Sequence, residues 1–327
     1  MIDKLGVIGG GAWGTALAQV AADGGRETWL WAREPEVVES VNQIHENALF
    51  LPGIALDPAI RATGDLGDLD ACDALLVVTP AQHMRTVLGG LGGSTRPLIL
   101  CSKGMEEATT MLLHDVARAA RPDSPVAVLS GPTFAHEVAA RLPAAVTLAV
   151  EDQVLGETLV ARLARPWFRP YLSSDVTGAE IGGAVKNVLA IACGVVEGRG
   201  LGQNARAALI SRGFAEMTRF GLALGGRAET LAGLSGLGDL VLTCSSTSSR
   251  NFSLGKGLGQ GRTAAELLAD RRTVAEGAFT APVLARAAAA RGVDMPIVSA
   301  VCALLAGEAS VDQVVEALLA RPLRSEG

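Results

Sequence analysis

The stretch LGVIGGGAWG, residues 5–14, decides the fold that the sequence predicts. Its first four residues are apolar and predict a short buried strand. The glycine spacing GxGxxG follows at once, and the apolar pattern of Trp13–Ala22 then predicts a helix. Isolated glycines would mean little in a chain with 39 of them. A glycine-rich turn between a strand and a helix, however, is typical of a dinucleotide-binding unit.

Each glycine of this turn has its own role in dinucleotide binding. Gly9 permits the tight turn, Gly11 lets the backbone approach the pyrophosphate, and Gly14 lets the helix pack on the strand. The pyrophosphate then lies at the helix N-terminus, where free N–H groups and the helix dipole favour an anion. The alternative is a glycine turn that binds no ligand.

Short β-rich runs alternate with helical patterns through the first half of the chain. The predicted strands are Leu5–Ile8, Thr28–Ala32, Ala74–Val78, Leu98–Cys101, Val126–Leu129 and Ala145–Val150. A helix is predicted over Thr109–Ala120, between the fourth and fifth of these strands. Apolar strands separated by helices indicate a parallel sheet covered on both faces. The expected fold class is therefore α/β, with a doubly wound sheet of the Rossmann type in the N-terminal part.

The pattern becomes helical after about Thr177. Apolar residues recur at helical spacing in Ala205–Leu224, Thr280–Arg291 and Ser310–Ala320, and no convincing β-run appears. We therefore predict two domains: residues 1–177 form the dinucleotide-binding domain, and residues 178–327 form an all-α C-terminal domain with substrate and catalytic groups.

The composition argues against several classes of function. A net charge of −6 leaves no general basic surface, so nucleic acid is not an expected partner. No targeting segment is recognisable before Leu5, and the apolar stretch Met295–Gly307 is shorter than the roughly 18–20 residues of a membrane span. Four histidines and five scattered cysteines have no ligand spacing, so no metal site is expected. We expect a cytoplasmic protein without a membrane span.

The end of the second strand bears on the choice of coenzyme. NAD-binding units usually have an acidic residue there, about 20 residues after the glycines, which binds the ribose hydroxyls. Here the strand ends in Arg33, whose guanidinium would pair with the 2′-phosphate of NADP(H). Glu34 follows directly, and a shift of one residue would place it at the position of the acidic residue. In a second alternative, Arg33 is a solvated surface charge. We therefore expect NADP(H), with NAD(H) as a further coenzyme.

Two polar segments follow predicted strands, at the edge where open α/β sheets bind ligands. The segment SKG, residues 102–104, follows the fourth strand and contains Lys103. The segment SGPTFA, residues 130–135, follows the fifth strand and begins a helix, so its N–H groups could face substrate or nicotinamide. A glycine-proline helix entry is also common without any ligand.

The segment GGAVKN, residues 182–187, begins an otherwise apolar helix with a lysine and an asparagine. A buried lysine needs a partner or a lowered pKa. Only four of the 28 basic residues are lysines, and a lysine can release a proton that arginine retains. Carbonyl reduction needs a positioned acid to protonate the oxygen, so Lys186 is a candidate proton donor and acceptor. The alternative is a lysine that snorkels at the helix edge.

Two later segments add polar groups. GLGD, residues 236–239, presents the carboxylate of Asp239 on a glycine-rich turn. SSRN, residues 248–251, combines hydroxyl, guanidinium and amide groups that suit a phosphate, because arginine binds two oxygens of one phosphate. The second segment could equally be a serine-rich loop.

These motifs have a fixed order along nearly the whole chain. They are GAWGTALA, WAR, SKG, SGPTFA, GGAVKNVLAI, NARAALI, GLGDLVLTC, SRN and the VAEG segment from Val274. In them the sequence closely resembles the bacterial NAD(P)-dependent glycerol-3-phosphate dehydrogenase family. The resemblance implies reversible reduction of dihydroxyacetone phosphate to sn-glycerol 3-phosphate, which supplies glycerophospholipid synthesis. It also implies a homodimer that acts on a small phosphorylated substrate.

By position, the resemblance also implies the site residues. The coenzyme contacts are the three glycines of the turn, Gly9, Gly11 and Gly14, together with Ala12, Trp13, Arg33, Lys103, Ala135, Arg250, Val274 and Glu276. Substrate contacts are Lys103, Gly131, Thr133, Lys186, Asp239, Ser249, Arg250 and Asn251. Lys186 would transfer the proton with the support of Asp239. Trp13 lies where the family varies, so that position carries little weight.

Two other classes of protein fit part of the sequence. A dehydrogenase for 3-hydroxy acids or phosphogluconate also joins a dinucleotide domain to a helical one, but the SRN and GLGDL segments argue against it. A protein that senses NADPH without turnover would not need a proton donor, so Lys186 and Asp239 argue against that class.

Overall fold

The computed structural model describes residues 2–93, 95–269 and 275–322. Strands and helices alternate as far as residue 173, and the described residues beyond it contain helices and loops. The strands are β1 (Leu5–Ile8), β2 (Thr28–Trp31), β3 (Ile60–Thr63), β4 (Ala74–Val77), β5 (Leu98–Leu100), β6 (Val126–Ser130), β7 (Ala144–Val150) and β8 (Phe168–Ser173).

Helices cover the sheet and form the rest of the described chain. They are α1 (Ala12–Ala22), α2 (Pro35–Ile44), α3 (Met84–Gly89), α4 (Leu113–Ala120), α5 (Ala135–Ala139), α6 (Gln153–Leu163), α7 (Val176–Gly198), α8 (Gly202–Ala223), α9 (Ala228–Leu231), α10 (Asp239–Thr243), α11 (Arg250–Gly259), α12 (Ala264–Leu268), α13 (Glu276–Ala289), α14 (Pro296–Ala306) and α15 (Val311–Leu319). A short π-helical turn, Leu234–Gly238, leads into α10.

The eight strands form one sheet in the order β3-β2-β1-β4-β5-β6-β7-β8. β1 lies between β2 and β4 and is parallel to both, with Leu5 opposite Thr28 and Ala74. The strand order therefore reverses between β1 and β4, the point at which open α/β sheets bind ligands beyond their carboxyl ends. The predicted fold class, a Rossmann-type sheet followed by an all-α part, is confirmed.

The expectation of a fully parallel sheet was wrong at one pair of strands. β7 runs antiparallel to β6, with Ala127 opposite Val150, and β8 then continues parallel to β7. The only helix that joins β6 to β7 is α5, which has five residues. Such a helix is roughly 7.5 Å long and cannot return the chain to the opposite edge of the sheet, as a parallel connection requires.

The two strands that the sequence did not predict are the two edges of the sheet. β3 has Arg61 at its second position, and β8 has Arg169 and Pro170 at its second and third positions. An edge strand has one unpaired side and tolerates charge and proline, so it lacks the continuous apolar run of a central strand.

The apolar helix that we expected to begin with residues 182–187 is α7, which begins earlier, at Val176. Four of the five other predicted helices have close counterparts in α1, α8, α13 and α15. The fifth, predicted from Thr109, begins only at Leu113 as α4. The residues before it form a loop that closes on itself: the Glu106 N–H donates to the Met111 carbonyl at 3.0 Å, and Thr110 has a φ of 59°. This left-handed residue is incompatible with a continuous helix.

Helix α7 is the core of the all-α part. It is long and apolar enough to cross a membrane, yet 94% of its apolar stretch is buried inside the protein. Its backbone touches that of α11: a Cβ on Gly255 would lie 1.9 Å from the Ile191 carbonyl oxygen, and one on Gly194 would lie 2.0 Å from that of Phe252. Glycines at both positions therefore allow the two helices to pack in direct contact.

Candidate active site

The glycine-rich turn between β1 and α1 has the geometry of a dinucleotide site. Gly9 has a φ of 126°, and a Cβ there would lie 2.9 Å from the Val78 carbonyl oxygen. A Cβ on Gly14 would lie 1.8 Å from the Gly9 oxygen, so both glycines are required by packing alone. Beside Gly11 no atom lies within 4 Å of the Cβ position, which leaves space for a ligand close to the backbone.

The start of α1 fits an anion. Gly11 is the N-cap and provides no side-chain hydrogen bond to the first N–H groups of the helix. The first turn, which begins with Ala12 and Trp13, can therefore donate to a pyrophosphate. The Trp13 indole Nε1 is buried and has no hydrogen-bond partner in the described structure. These features fit a dinucleotide coenzyme.

Arg33 lies two residues beyond the end of β2, and the next residue, Glu34, is the N-cap position of α2. The Arg33 side chain is 78% exposed, and its Nη2 lies 3.0 Å from the Glu34 carboxylate. The guanidinium thus lies near the strand end, where a coenzyme ribose would lie. It pairs with Glu34, the acidic residue that is the alternative ribose contact. Ala135, another predicted coenzyme contact, is the first residue of α5.

The predicted catalytic residues meet in one buried cluster. Lys186 Nζ donates to Asp239 Oδ1 at 2.5 Å and to Thr243 Oγ1 at 2.9 Å. Lys103 Nζ donates to the other oxygen of the same carboxylate at 2.7 Å. The Asp239 side chain is completely buried, and that of Lys186 is 6% exposed. One carboxylate therefore joins Lys103, which follows β5, to Lys186 on α7.

Two glycines of α7 let these groups approach. A Cβ on Gly182 would lie 2.2 Å from the carbonyl oxygen of Ser235, in the π-helical turn before Asp239. A Cβ on Gly183 would lie 3.2 Å from both Lys103 Cγ and Ser130 Oγ. The first glycine thus brings α7 to the segment that presents the carboxylate, and the second makes room for the Lys103 side chain.

The surroundings of Lys186 lower its pKa. Burial disfavours the ammonium form and lowers the pKa of Lys186 to about 7, while the carboxylate of Asp239 opposes that shift. The positive charge of Lys103 lowers the same pKa further. An amine with this pKa can both donate and accept a proton near neutral pH, as general acid–base catalysis requires.

Gly131 and Thr133 lie next to this cluster. Lys103 Nζ donates to the Gly131 carbonyl at 3.3 Å, and Thr133 Oγ1 donates to the same oxygen at 3.3 Å. A Cβ on Gly131 would lie 2.8 Å from the Cα of Val146 on the neighbouring strand. The chain therefore needs glycine at position 131 to turn away from β6.

The three residues of the predicted phosphate group have different surroundings at the start of α11. Ser249 is the N-cap, and its hydroxyl accepts from the Phe252 N–H at 3.2 Å. Asn251 is buried; it donates to Asn187 Oδ1 at 3.0 Å and accepts from the Gly277 N–H at 2.9 Å. Arg250 is exposed at the first helical position. Arg250 thus has the most freedom of the three to bind an anion.

Glu276 begins α13, next to the same site. Burial raises the pKa of the Glu276 carboxyl, and the positive charges of Arg250 and Lys103 oppose that rise. These charge interactions indicate that the helix start lies near both cations. Val274, the other predicted coenzyme contact of this segment, lies outside the described residues.

The geometry agrees with what comparison with known proteins finds. A family model described as the N-terminus of NAD-dependent glycerol-3-phosphate dehydrogenase matches residues 4–155, and one described as its C-terminus matches residues 175–316. The chain belongs to this family. Together the two models cover β1 to β7 and the helices that supply the buried cluster.

Relatives of the family match the chain over its full length. A glycerol-3-phosphate dehydrogenase (NAD(P)+) of Erythrobacter litoralis is 67% identical over 326 residues, which cover 100% of this chain and 98% of that protein. One of Novosphingobium aromaticivorans is 65% identical over 329 residues, with coverages of 100% and 99%. The crystal structure of a glycerol-3-phosphate dehydrogenase from Coxiella burnetii superposes with a TM-score of 0.93 at 36% identity and covers 98% of this chain and 99% of that one.

The structure places two further residues, which we did not predict, in contact with the candidate site residues. Thr243 contacts both Lys186 and Asp239, and it lies four residues after Asp239, one helical turn along α10. That spacing in GLGDLVLT was the available signal. Asn187 orients Asn251, and its position beside Lys186 in an apolar helix was a second signal. In the described residues, no group of three or more His, Cys, Asp or Glu side chains could hold a metal ion.

Proposed function

We propose that this protein catalyses the NAD(P)H-dependent, reversible reduction of dihydroxyacetone phosphate to sn-glycerol 3-phosphate, which supplies glycerophospholipid synthesis. The observation that carries the proposal is the sharing of the buried Asp239 carboxylate by Lys186 and Lys103. The cluster combines a proton donor with an adjacent positive charge at the ligand-binding edge of a Rossmann-type sheet. A non-catalytic sensor needs no such donor.

Lys186 is the proposed proton-transfer residue. When bound, the reduced nicotinamide supplies the hydride to the carbonyl carbon of the substrate. The Lys186 ammonium gives its proton to the carbonyl oxygen, and in the opposite direction the neutral amine takes the proton of the hydroxyl. Asp239 and Thr243 hold the nitrogen in place through the hydrogen bonds at 2.5 and 2.9 Å.

The remaining polar residues of the site bind the substrate in this proposal. Arg250 binds the phosphate through its planar guanidinium, with Asn251 and the Ser249 cap at the same helix start. Lys103 adds a positive charge between the coenzyme and the substrate. Thr133 and the backbone at Gly131 line the substrate space beside it.

The coenzyme is held by the N-terminal sheet. In the proposal Gly9, Gly11 and Gly14 shape the turn, and the start of α1 at Ala12 and Trp13 donates to the pyrophosphate. Arg33 pairs with the 2′-phosphate and favours NADPH over NADH. The other proposed coenzyme contacts are Ala135, Lys103, Arg250, Val274 and Glu276.

We further propose that the chain divides into residues 1–177 and 178–327, is a homodimer and acts in the cytoplasm. β8 ends at Ser173 and the core helix α7 begins at Val176, so the sheet gives way to the helical part a few residues before the proposed boundary. The family resemblance supports the dimer. Light scattering on the purified protein measures the oligomeric state directly.

The function is tested by NADPH oxidation at 340 nm. Dihydroxyacetone phosphate should be reduced, whereas unphosphorylated dihydroxyacetone, a 3-oxo acid and 6-phosphogluconate (with NADP+) should react little. Faster turnover of the 3-oxo acid or of 6-phosphogluconate would assign the chain to the other dehydrogenase classes. NADPH binding without turnover of any of them would favour a sensor.

A further inference from the structure

Asn47 lies between α2 and β3 and is completely buried. Its amide nitrogen Nδ2 donates to the Gly10 carbonyl at 2.8 Å and to Thr15 Oγ1 at 2.8 Å. Its amide oxygen accepts from the Phe50 N–H at 3.0 Å. A fully buried amide that uses both ends in this way is fixed in one orientation, because a flip would place its oxygen against the Gly10 carbonyl and its NH2 against the Phe50 N–H.

The Gly10 carbonyl belongs to the turn that faces the coenzyme. A trans peptide unit is planar, so the carbonyl of one residue and the N–H of the next point in opposite directions. The described backbone contains no cis peptide bond. The amide that holds the Gly10 carbonyl toward the interior therefore directs the Gly11 N–H away from Asn47.

Thr15 belongs to the same arrangement. It lies in the second turn of α1, and its hydroxyl is 3.4 Å from the Gly10 carbonyl oxygen that Asn47 binds at 2.8 Å. Asn47 thus ties the glycine turn to the helix that follows it, from a loop 37 residues further along the chain. Glycines give this turn its freedom of conformation, and a side chain outside the GxGxxG motif removes that freedom.

We propose that Asn47 is a positioning residue for coenzyme binding: its amide fixes the Gly10–Gly11 peptide so that the Gly11 N–H can donate to the pyrophosphate of a dinucleotide. The inference rests on the coenzyme binding of the proposed function. Pyrophosphate is common to NADPH and NADH, so Asn47 should affect both coenzymes equally, whereas the 2′-phosphate distinguishes them at Arg33.

The test is the Asn47→Asp variant, which keeps the shape and the acceptor for Phe50 but loses the donor to Gly10. The dissociation constants of NADPH and NADH, measured by coenzyme fluorescence, should both rise roughly tenfold, which corresponds to about 1.4 kcal/mol. Binding of 2′-AMP, which has no pyrophosphate, should change less than twofold by calorimetry. The kcat at saturating NADPH and the KM for dihydroxyacetone phosphate should also be unchanged.

Asn42→Asp is the matched control. Asn42 lies on α2, and its amide donates to and accepts from the backbone of Ala62 at 2.9 Å, away from the glycine turn. This variant loses the same kind of donor and should leave the coenzyme affinities within twofold. If Asn47→Asp does not fold, Asn47→Ala removes the amide donor without adding a charge and should weaken NADPH and NADH binding to the same extent.

Three outcomes would overturn the inference. NADPH and NADH affinities within twofold of the unsubstituted protein in both Asn47 variants would show that the amide does not position the turn. An equal loss of coenzyme affinity in Asn42→Asp would show that the effect of the Asn47 variants reflects general stability and not the position of the turn. Absence of NADPH binding by the unsubstituted protein would overturn the proposed function and this inference with it, whereas the first two outcomes leave the proposed function intact.

Discussion

Lys186 and Asp239 form a hydrogen-bonded ion pair of 2.5 Å that is almost entirely closed to solvent. A buried charge is costly unless it is paired, and the carboxylate has two cations to offset its burial, since Lys103 binds its second oxygen. With both lysines protonated the cluster carries a net positive charge. That charge favours a phosphorylated substrate and, at the same time, favours release of a proton from Lys186.

Lys186→Arg separates charge from proton transfer. Guanidinium keeps the positive charge but does not release a proton at working pH. We expect kcat to fall on the order of 10²–10⁴-fold, while NADPH binding and the thermal midpoint stay close to those of the unsubstituted protein. Steady-state kinetics with dihydroxyacetone phosphate and coenzyme fluorescence measure the two effects.

Lys103→Arg is the comparison for that variant, because the proposed role of Lys103 is mainly electrostatic and should tolerate arginine better. A Lys186→Arg protein with near-normal kcat would contradict the proton-transfer role and leave the acid of the reaction unidentified.

The pH dependence should have opposite signs in the two directions of the reaction. The pKa of Lys186 is lowered by burial to about 7. Reduction needs the ammonium, so its kcat/KM should fall as pH rises through 7, by up to tenfold per pH unit. Oxidation of sn-glycerol 3-phosphate needs the neutral amine, so its rate should rise through the same range. Profiles from pH 5.5 to 9 measure both, and parallel profiles would argue against one shared acid–base group.

Arg33→Asp tests the coenzyme preference. The variant replaces the guanidinium that would bind the 2′-phosphate with a carboxylate beside Glu34, which would repel that phosphate. We expect the KM for NADPH to rise roughly 10- to 100-fold, corresponding to about 1.5–3 kcal/mol, and the KM for NADH to change little. Equal losses for the two coenzymes would mean that Arg33 does not distinguish them.

Arg250→Ala tests the phosphate site. Arg250 is exposed and begins α11, so its removal should not disturb the buried core. We expect the KM for dihydroxyacetone phosphate to rise at least tenfold, because a charge-assisted pair with phosphate is lost. At saturating NADPH, the slow reaction with unphosphorylated dihydroxyacetone should be unchanged. An equal loss with both substrates would indicate that Arg250 does not act through the phosphate.

The central part of the fold could be predicted because its signals are local. A strand buried on both faces requires a continuous apolar run, and the turn after β1 requires glycine at fixed spacing, so both are visible in the sequence. β3 and β8 were missed because edge strands tolerate Arg61 and Pro170. The reversed direction of β7 depends on the length of α5, which no local pattern reports.

The residues of the candidate site stand out in the sequence one by one, but the contacts among them do not. Lys186 was recognisable as a lysine in an apolar helix, whereas its pairing with Asp239 joins residues that are 53 positions apart. Their proximity depends on how closely α7 approaches the π-helical turn at Gly182. Ser249 illustrates the converse: its hydroxyl was expected on a phosphate, and in the structure it caps α11.

The shared carboxylate constrains how this protein can recombine with its relatives. A crossover between Ser173 and Val176 would leave the sheet and the core helix each intact, so chimaeras should fold. Each chimaera would nevertheless pair Lys103 from one parent with Asp239 from the other. The chimaeras that stay active should therefore be those whose parents agree at the few contacts around this carboxylate, whatever their identity elsewhere.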